Sequence, residues 1–172
     1  MAMIRRARAG EAKMLAALGA KTFTDTFGHL YRRDDLEAFL QENHSAAVYQ
    51  MLLADESFAL WIAENDAGEA VGYGVAGPCS LPVPNAPARS GELARLYLLE
   101  SAQGAGAGRR LAEAMLDWLR ARFDHIYVSV YAENFRAQQL YRKLGFAKIH
   151  DYFYMVGEHA DPEWIMEWRP AA

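Results

Sequence analysis

Three groups of residues in this sequence have types and spacings that could do chemistry. The first is Gln103-Gly104-Ala105-Gly106-Ala107-Gly108-Arg109, in which glycines alternate with alanines. A backbone of this composition turns tightly and leaves no side chain larger than a methyl between its N–H groups and a ligand. Leu111, Met115, Trp118, Leu119 and Phe123 follow at helical spacing, so a helix N-terminus opens directly out of the glycines. Unpaired amides, the positive end of the helix dipole and the charge of Arg109 together predict a seat for a diphosphate. The second is Tyr141, a phenol that keeps its proton at neutral pH because its ordinary pKa is about 10, and that can donate it to a departing anion such as a thiolate, whose conjugate acid has a pKa of about 8.5. The third is Glu92, a carboxylate at the start of the apolar run that leads into the glycines, where it could accept a proton.

Two familiar glycine motifs do not fit. A P-loop ends in Gly-Lys-Ser/Thr, whereas Gly108 is followed by Arg109-Arg110, so the lysine and the magnesium-binding hydroxyl are missing. In a dinucleotide fingerprint the third glycine would come one residue later than Gly108 does. What remains is Gln-x-x-Gly-x-Gly after an apolar strand, Glu92 to Leu99. That spacing resembles the acetyl-CoA-binding signature of the GCN5-related N-acetyltransferase (GNAT) superfamily. The segment Asn134-Phe135-Arg136-Ala137-Gln138-Gln139-Leu140-Tyr141-Arg142-Lys143-Leu144-Gly145-Phe146 is similar to the superfamily's second signature, Asn-x-x-Ala-x-x-x-Tyr-x-x-x-Gly-Phe. Thr22-Phe23-Thr24-Asp25-Thr26-Phe27, with Phe153-Tyr154-Met155-Val156-Gly157 and Trp164-Ile165-Met166, looks like the PaiA group of polyamine acetyltransferases.

The resemblance implies an α/β (α+β) fold: a twisted, mostly antiparallel sheet of about seven strands with a splayed central parallel pair, flanked by four to five helices. It implies acetyl-CoA as co-substrate, with the pantetheine arm bonded to the backbone of Leu96, Tyr97 and Leu98 as a pseudo-strand and the phosphates on the amides between Gln103 and Arg109. A backbone donor of that strand would hold the developing oxyanion, a contribution of about 3 kcal/mol. Asn134 would contact the cofactor, Tyr141 would face its sulfur, and Lys143 and Arg142 could reach its phosphates. Glu92 matches a position where many relatives carry a glutamate that deprotonates the amine, directly or through water. Some peptide N-terminal acetyltransferases place a glutamate midway along the next strand instead; here that position is Ser129, which weighs against a peptide acceptor.

The elements that must position these groups can be read along the chain. Met3 to Ala7 reads as a strand. A helix opens at Gly10-Glu11 and runs to about Phe27, followed by a glycine break at Gly28. Phe23, Phe27 and Tyr31 either pack in the core or wall an acceptor pocket. Asp34-Asp35 begins a second helix and Ser45 caps a third through Leu53. Phe58 to Ala63 and Ala70 to Ala76 form a hairpin around Asn65-Asp66-Ala67-Gly68. Pro78, Pro82, Pro84 and Pro87 mark a long loop before the Glu92 strand. Ile126 to Tyr131 is a strand, parallel to the Glu92 strand because a helix joins them. The helix opening near Asn134 ends at Gly145. Phe146 to about Val156 and Trp164 to Trp168 are expected to pair across a 157–162 loop that lies over the site.

At 172 residues, 52% of them apolar and 12% aromatic, the chain is expected to form one domain over 1–172 with a real core. A net charge of −4 argues against nucleic acid and favours a small cationic amine as partner. The lone cysteine, Cys79, fits a reducing compartment and has no base beside it to make it a nucleophile. No apolar run reaches membrane-spanning length and no secretory core follows the basic N-terminus, so a cytoplasmic protein without a membrane partner is expected. The five histidines show no ligand spacing, so no metal is expected. The resemblance leaves room for a homodimer. The function that follows is acetyl-CoA-dependent N-acetylation of a polyamine or similar small primary amine by direct attack in a ternary complex. The alternatives are acetylation of a protein N-terminus or lysine and, in another class, a non-catalytic acyl-CoA-binding sensor.

Overall fold

The computed structural model describes residues 2–170. One seven-stranded sheet runs through it, in the order β1-β2-β3-β4-β5-β7-β6. Its strands are β1 (Met3–Arg6), β2 (Ala59–Glu64), β3 (Ala70–Pro78), β4 (Ser90–Leu98), β5 (His125–Tyr131), β6 (Phe146–Val156) and β7 (His159–Trp168). Five helices flank it: α1 (Ala12–Phe27), α2 (Arg33–Asn43), α3 (Ala46–Ala54), α4 (Ala107–Arg120) and α5 (Phe135–Leu144). All neighbouring strands are antiparallel except β4 and β5, which are parallel.

The sheet is covered on both faces, and the alternation of side chains along β2 shows how. Ala59 and Trp61 point into one core with Leu111, Met115 and Leu119 of α4. Leu60 and Ile62 point into the other, with Leu15 and Leu18 of α1 and Tyr49 of α3. A strand buried on both faces shows no polar alternation, and β2 has none. Helix starts follow local chemistry: the Ser45 hydroxyl accepts from Val48 N at the head of α3, and Asn134 Oδ1 accepts from Ala137 N at the head of α5.

Two irregularities shape the centre of the sheet. Val75 pairs with Arg95 and Ala76 with Leu93, so Ala94 is an extra residue in β4. Such a bulge reverses which face the later residues take. Leu93 and Leu96 therefore both pack toward α4, while Arg95 and Tyr97 turn to the α1 and α3 face, the Arg95 guanidinium lying 5.3 Å from the Tyr49 ring. The second irregularity is that the parallel ladder covers only Ser90–Leu93 against His125–Val128. Beyond Leu93 the two strands part, and Leu96 to Leu98 have no neighbour on the β5 side.

The end of the chain differs from the expected loop. Residues 159–162 belong to β7, which turns back from β6 through Gly157 and Glu158 alone. Pro162 misled the pattern, since proline is rare inside sheets. It is tolerated because β5 ends at Tyr131, opposite Glu163. At Pro162 the strand pairs only with Phe153 of β6, and its carbonyl accepts from Ala132 N at 2.9 Å. Phe123, assigned above to the α4 face, lies just past the end of that helix and packs against the same core.

Candidate active site

Two cavities open where β4 and β5 part. The first, about 480 Å³, is bounded by the end of β4, the glycine turn and α5; Leu96, Tyr97, Leu98, Gln103, Gly104, Gly106, Gly108, Arg109, Asn134 and Lys143 all line it. Two residues of the expected phosphate seat do not: Ala105 is exposed, and the Ala107 side chain is buried in the core. Gly104 and Gly106 have φ of +87° and +84°, the left-handed region that glycine adopts at little cost. The first bond of α4 runs from Arg110 N to Gly106 O. The N–H groups of Ala107, Gly108 and Arg109 thus have no partner along the helix, and a Cβ on Gly106 would stand in open space. The chain fits a diphosphate here.

The charges around this seat are partly spoken for. Arg109 Nε is 2.9 Å from Glu113, so its charge is shared along the helix. The Arg142 guanidinium lies over the Trp164 ring, 5.6 Å from its centroid. Lys143 holds no ion pair among the described residues, and Arg136, which the sequence reading passed over, donates to Gln103 Oε1 at 3.0 Å while lining the cavity. Gln103 Nε2 in turn reaches the Leu98 carbonyl at 3.3 Å, tying the turn to the free end of β4.

The second cavity, about 440 Å³, lies on the α1 and α2 side, and all three aromatics singled out from the sequence line it. Phe23 is the hub. Its ring stacks on Tyr31 at 5.9 Å and on Phe39 at 4.6 Å, and lies 5.3 Å from Phe27. Tyr31 OH donates to Asp161 Oδ2, and His159 Nδ1 stands 2.6 Å from the other Asp161 oxygen. This contact fastens the α1–α2 connection to β7 across the mouth.

Tyr141 lines both cavities. It is buried against Phe146, with ring centroids 5.8 Å apart, and its hydroxyl has no hydrogen-bond partner among the described residues. Burial pushes its pKa up, with a smaller contribution from Glu163. The phenol therefore stays protonated but gives its proton less readily than an exposed tyrosine.

Glu92 is not a solvated strand-edge carboxylate. It is 5% exposed, and Oε1 accepts from Ser80 N at 2.9 Å and Ser80 Oγ at 3.1 Å. Burial raises its pKa against those two bonds. A second carboxylate, absent from the sequence reading, faces the same cavity: Glu163 of β7. Its Oε2 lies 3.4 Å from Ser129 Oγ, which is also 2.6 Å from Tyr152 OH. Burial first, and then the charge of Asp161, push the Glu163 pKa up to about 8. Ser129 holds the place where a glutamate on β5 would sit, and the carboxylate beside it comes from β7 instead. No local motif marks Glu163, because its neighbour is 34 residues away in sequence.

Cys79 is half-buried and its thiol is pushed up to about 11 by burial, unlike an activated nucleophile. Among the described residues no three His, Cys, Asp or Glu side chains gather as a metal site, and no helix is long and apolar enough to cross a membrane.

Residues 23–146 match the model of the acetyltransferase (GNAT) family. An uncharacterized N-acetyltransferase of Mycobacterium tuberculosis is 29% identical over 160 residues, covering 91% of this chain and 96% of that protein. A mycothiol acetyltransferase of Beutenbergia cavernae is 37% identical over 91 residues, which are 52% of this chain and 29% of that one. Among solved structures, the PaiA N-acetyltransferase of Thermoplasma acidophilum in complex with coenzyme A superposes with a TM-score of 0.77 at 17% identity, covering 99% of both chains.

Proposed function

This chain belongs to the GNAT acetyltransferase family, and from that premise we propose that it moves the acetyl group of acetyl-CoA onto the free amine of a small acceptor held in the aromatic cavity. The observation that carries the proposal is that the glycine-seat cavity and the aromatic cavity share Leu96, Tyr97, Asn134, Ala137 and Tyr141 as walls. A cofactor seated by its phosphates in one can present its acyl end to an amine in the other.

Acetyl-CoA supplies an acyl group activated as a thioester. The bare amides of Ala107 to Arg109 would hold the diphosphate, and the edge of Leu96 to Leu98 that β5 leaves unpaired would bond the pantetheine arm, with the Leu98 carbonyl already accepting from Gln103. Asn134 spends its Oδ1 on the α5 cap, so only its amide nitrogen is left for the cofactor. A new N–C bond forms as the C–S bond breaks. The proton lost by the amine goes to Glu163, and the thiolate takes the proton of Tyr141. We assign the base to Glu163 rather than Glu92. A carboxylate with pKa of about 8 is matched to an operating pH near neutrality, while one Glu92 oxygen is occupied by Ser80.

A polyamine, the acceptor to which the sequence resemblance points, is the second reading, favoured by Asp161 and Glu163 in the wall. The test is release of free thiol from acetyl-CoA with a panel of primary amines that includes spermidine. Acceleration by at least one amine over the rate without acceptor, lost in Tyr141→Phe, is expected. No acceleration by any of them would overturn acetyl transfer and leave the acyl-CoA sensor.

A further inference from the structure

The aromatic cavity is not uniformly acidic. Besides Asp161 and Glu163 its wall includes Arg95, turned to this side by the Ala94 bulge. All the hydrogen bonds this guanidinium makes start at Nη1, and all end on uncharged groups. They go to the Asn43 carbonyl at 2.7 Å, Tyr49 OH at 2.9 Å and, at 3.4 Å, His44 Nδ1. His44 is neutral, since burial and the Arg95 charge push its pKa down to about 3. Glu92 feels the Arg95 charge but holds no ion pair with it. Among the described residues Arg95 has no carboxylate partner, and its Nε and Nη2 hydrogens have no acceptor.

A part-buried cation with only neutral partners is costly unless something anionic completes it. Nε–H and Nη2–H are the two parallel donors on one edge of the guanidinium, a spacing that matches the two oxygens of a carboxylate. The rest of the side chain is fixed, because Nη1 is anchored to the α2–α3 connection and Gly19 keeps α1 close. A Cβ at Gly19 would stand 2.5 Å from Tyr49 OH and 2.6 Å from His44 Nδ1. Tyr97 links the two ends of the site: it feels the charges of Arg95 and Glu163 and lies near Tyr141.

We propose that the acceptor carries a carboxylate as well as its amine, the carboxylate docking on the Nε/Nη2 edge of Arg95 while the amine lies between Glu163 and Tyr141. The acceptor is then an aminocarboxylate with an apolar body against Phe23, Phe27 and Tyr31, rather than a polyamine. This rests on reading the site as an amine acetyltransferase.

The experiment compares matched pairs with the intact 172-residue chain. L-phenylalanine is set against phenethylamine, L-methionine against 3-(methylthio)propylamine, and spermidine is run beside them. Affinity is read by calorimetry with CoA present, and kcat/KM by thiol release from acetyl-CoA. At least one amino acid is expected to exceed its decarboxylated partner by roughly tenfold or more, the size of a charge-assisted pair. The ratio should fall toward one in Arg95→Gln. Arg95→Lys, which keeps the charge and loses the fork, should give an intermediate ratio and serves if the glutamine variant does not fold. Decarboxylated amines or spermidine binding as well as the amino acids, or a ratio that survives in Arg95→Gln, would overturn the proposal. Binding at the expected ratio without turnover would sink acetyl transfer and leave the Arg95 subsite standing.

Discussion

At the scale of single residues, burial rather than a neighbouring charge sets the chemistry of Glu163 and Tyr141. The Glu163 carboxyl titrates at about 8 in the folded chain and at about 4.3 when unfolded. Between those values the folded state holds a proton that the unfolded state has released, so this group's contribution to stability falls as pH rises through the window and levels off above it. Glu163→Gln removes that penalty. Its melting temperature should exceed the wild type's by a few degrees at about pH 8 and converge with it at about pH 5, while kcat drops and loses its dependence on pH near 8. Equal melting curves at both pH values would show that the carboxyl is not desolvated. Tyr141→Phe should lower kcat by about 10²–10⁴ while acetyl-CoA affinity, read by calorimetry, stays within about twofold. Tyr141 stood out in the sequence because Asn134 to Phe146 is one continuous motif that spans α5 and its two caps. Glu163 and Arg95 did not, because their roles depend on neighbours far along the chain and on strand register.

At the scale of elements, the glycine turn and the β4 bulge do the positioning. Gly106→Ala places a methyl in open space, so its cost comes from the left-handed φ of +84°, about 1–2 kcal/mol. Relaxing that strain rotates the amides at the head of α4, and the Kd for acetyl-CoA should rise by at least about tenfold. Unchanged affinity would mean the phosphates sit elsewhere. Deleting Ala94 removes the extra residue of β4 but leaves Leu93 opposite Ala76 and Arg95 opposite Val75, so Arg95 and Tyr97 keep the α1 and α3 face and Leu96 keeps the α4 face. The deletion variant should therefore keep a cooperative thermal transition, and loss of that transition would mean that the bulge itself holds β4 in register. Most helices and strands were readable from caps and periodicity, since Ser45, Asn134 and Gly145 each act within a few residues. The bulge was not readable, because nothing in Leu93-Ala94-Arg95 shows which residue its partner strand will skip. The β6–β7 turn was misread for a related reason: Pro162 sits in a strand only because β5 stops one residue short of it.

At the scale of the whole molecule, β1–β4 and β5–β7 form two half-sheets joined by a four-residue parallel ladder and by contacts across the mouth of the aromatic cavity. Phe27 meets Tyr131 at 5.8 Å, Tyr31 bonds Asp161, and the Gly157 turn packs on Asp35 of α2. A ligand that fills the gap between the halves stabilises both. Acetyl-CoA at about 100 times its Kd should add about 2.7 kcal/mol and raise the melting temperature by several degrees. Gly157→Ala drives a methyl into the Asp35 carboxyl at a turn with φ of +57°, wedging β6–β7 away from α2. The acceptor KM should then rise while acetyl-CoA affinity holds, and the reverse pattern would mean the hairpin serves the cofactor. The wall common to both cavities has a practical corollary. A single conjugate in which the acceptor nitrogen is tethered through a short acetyl bridge to the coenzyme sulfur would occupy both chambers at once, its second half anchored at millimolar effective concentration. Such a molecule should inhibit competitively against either substrate, and more tightly than its two parts mixed.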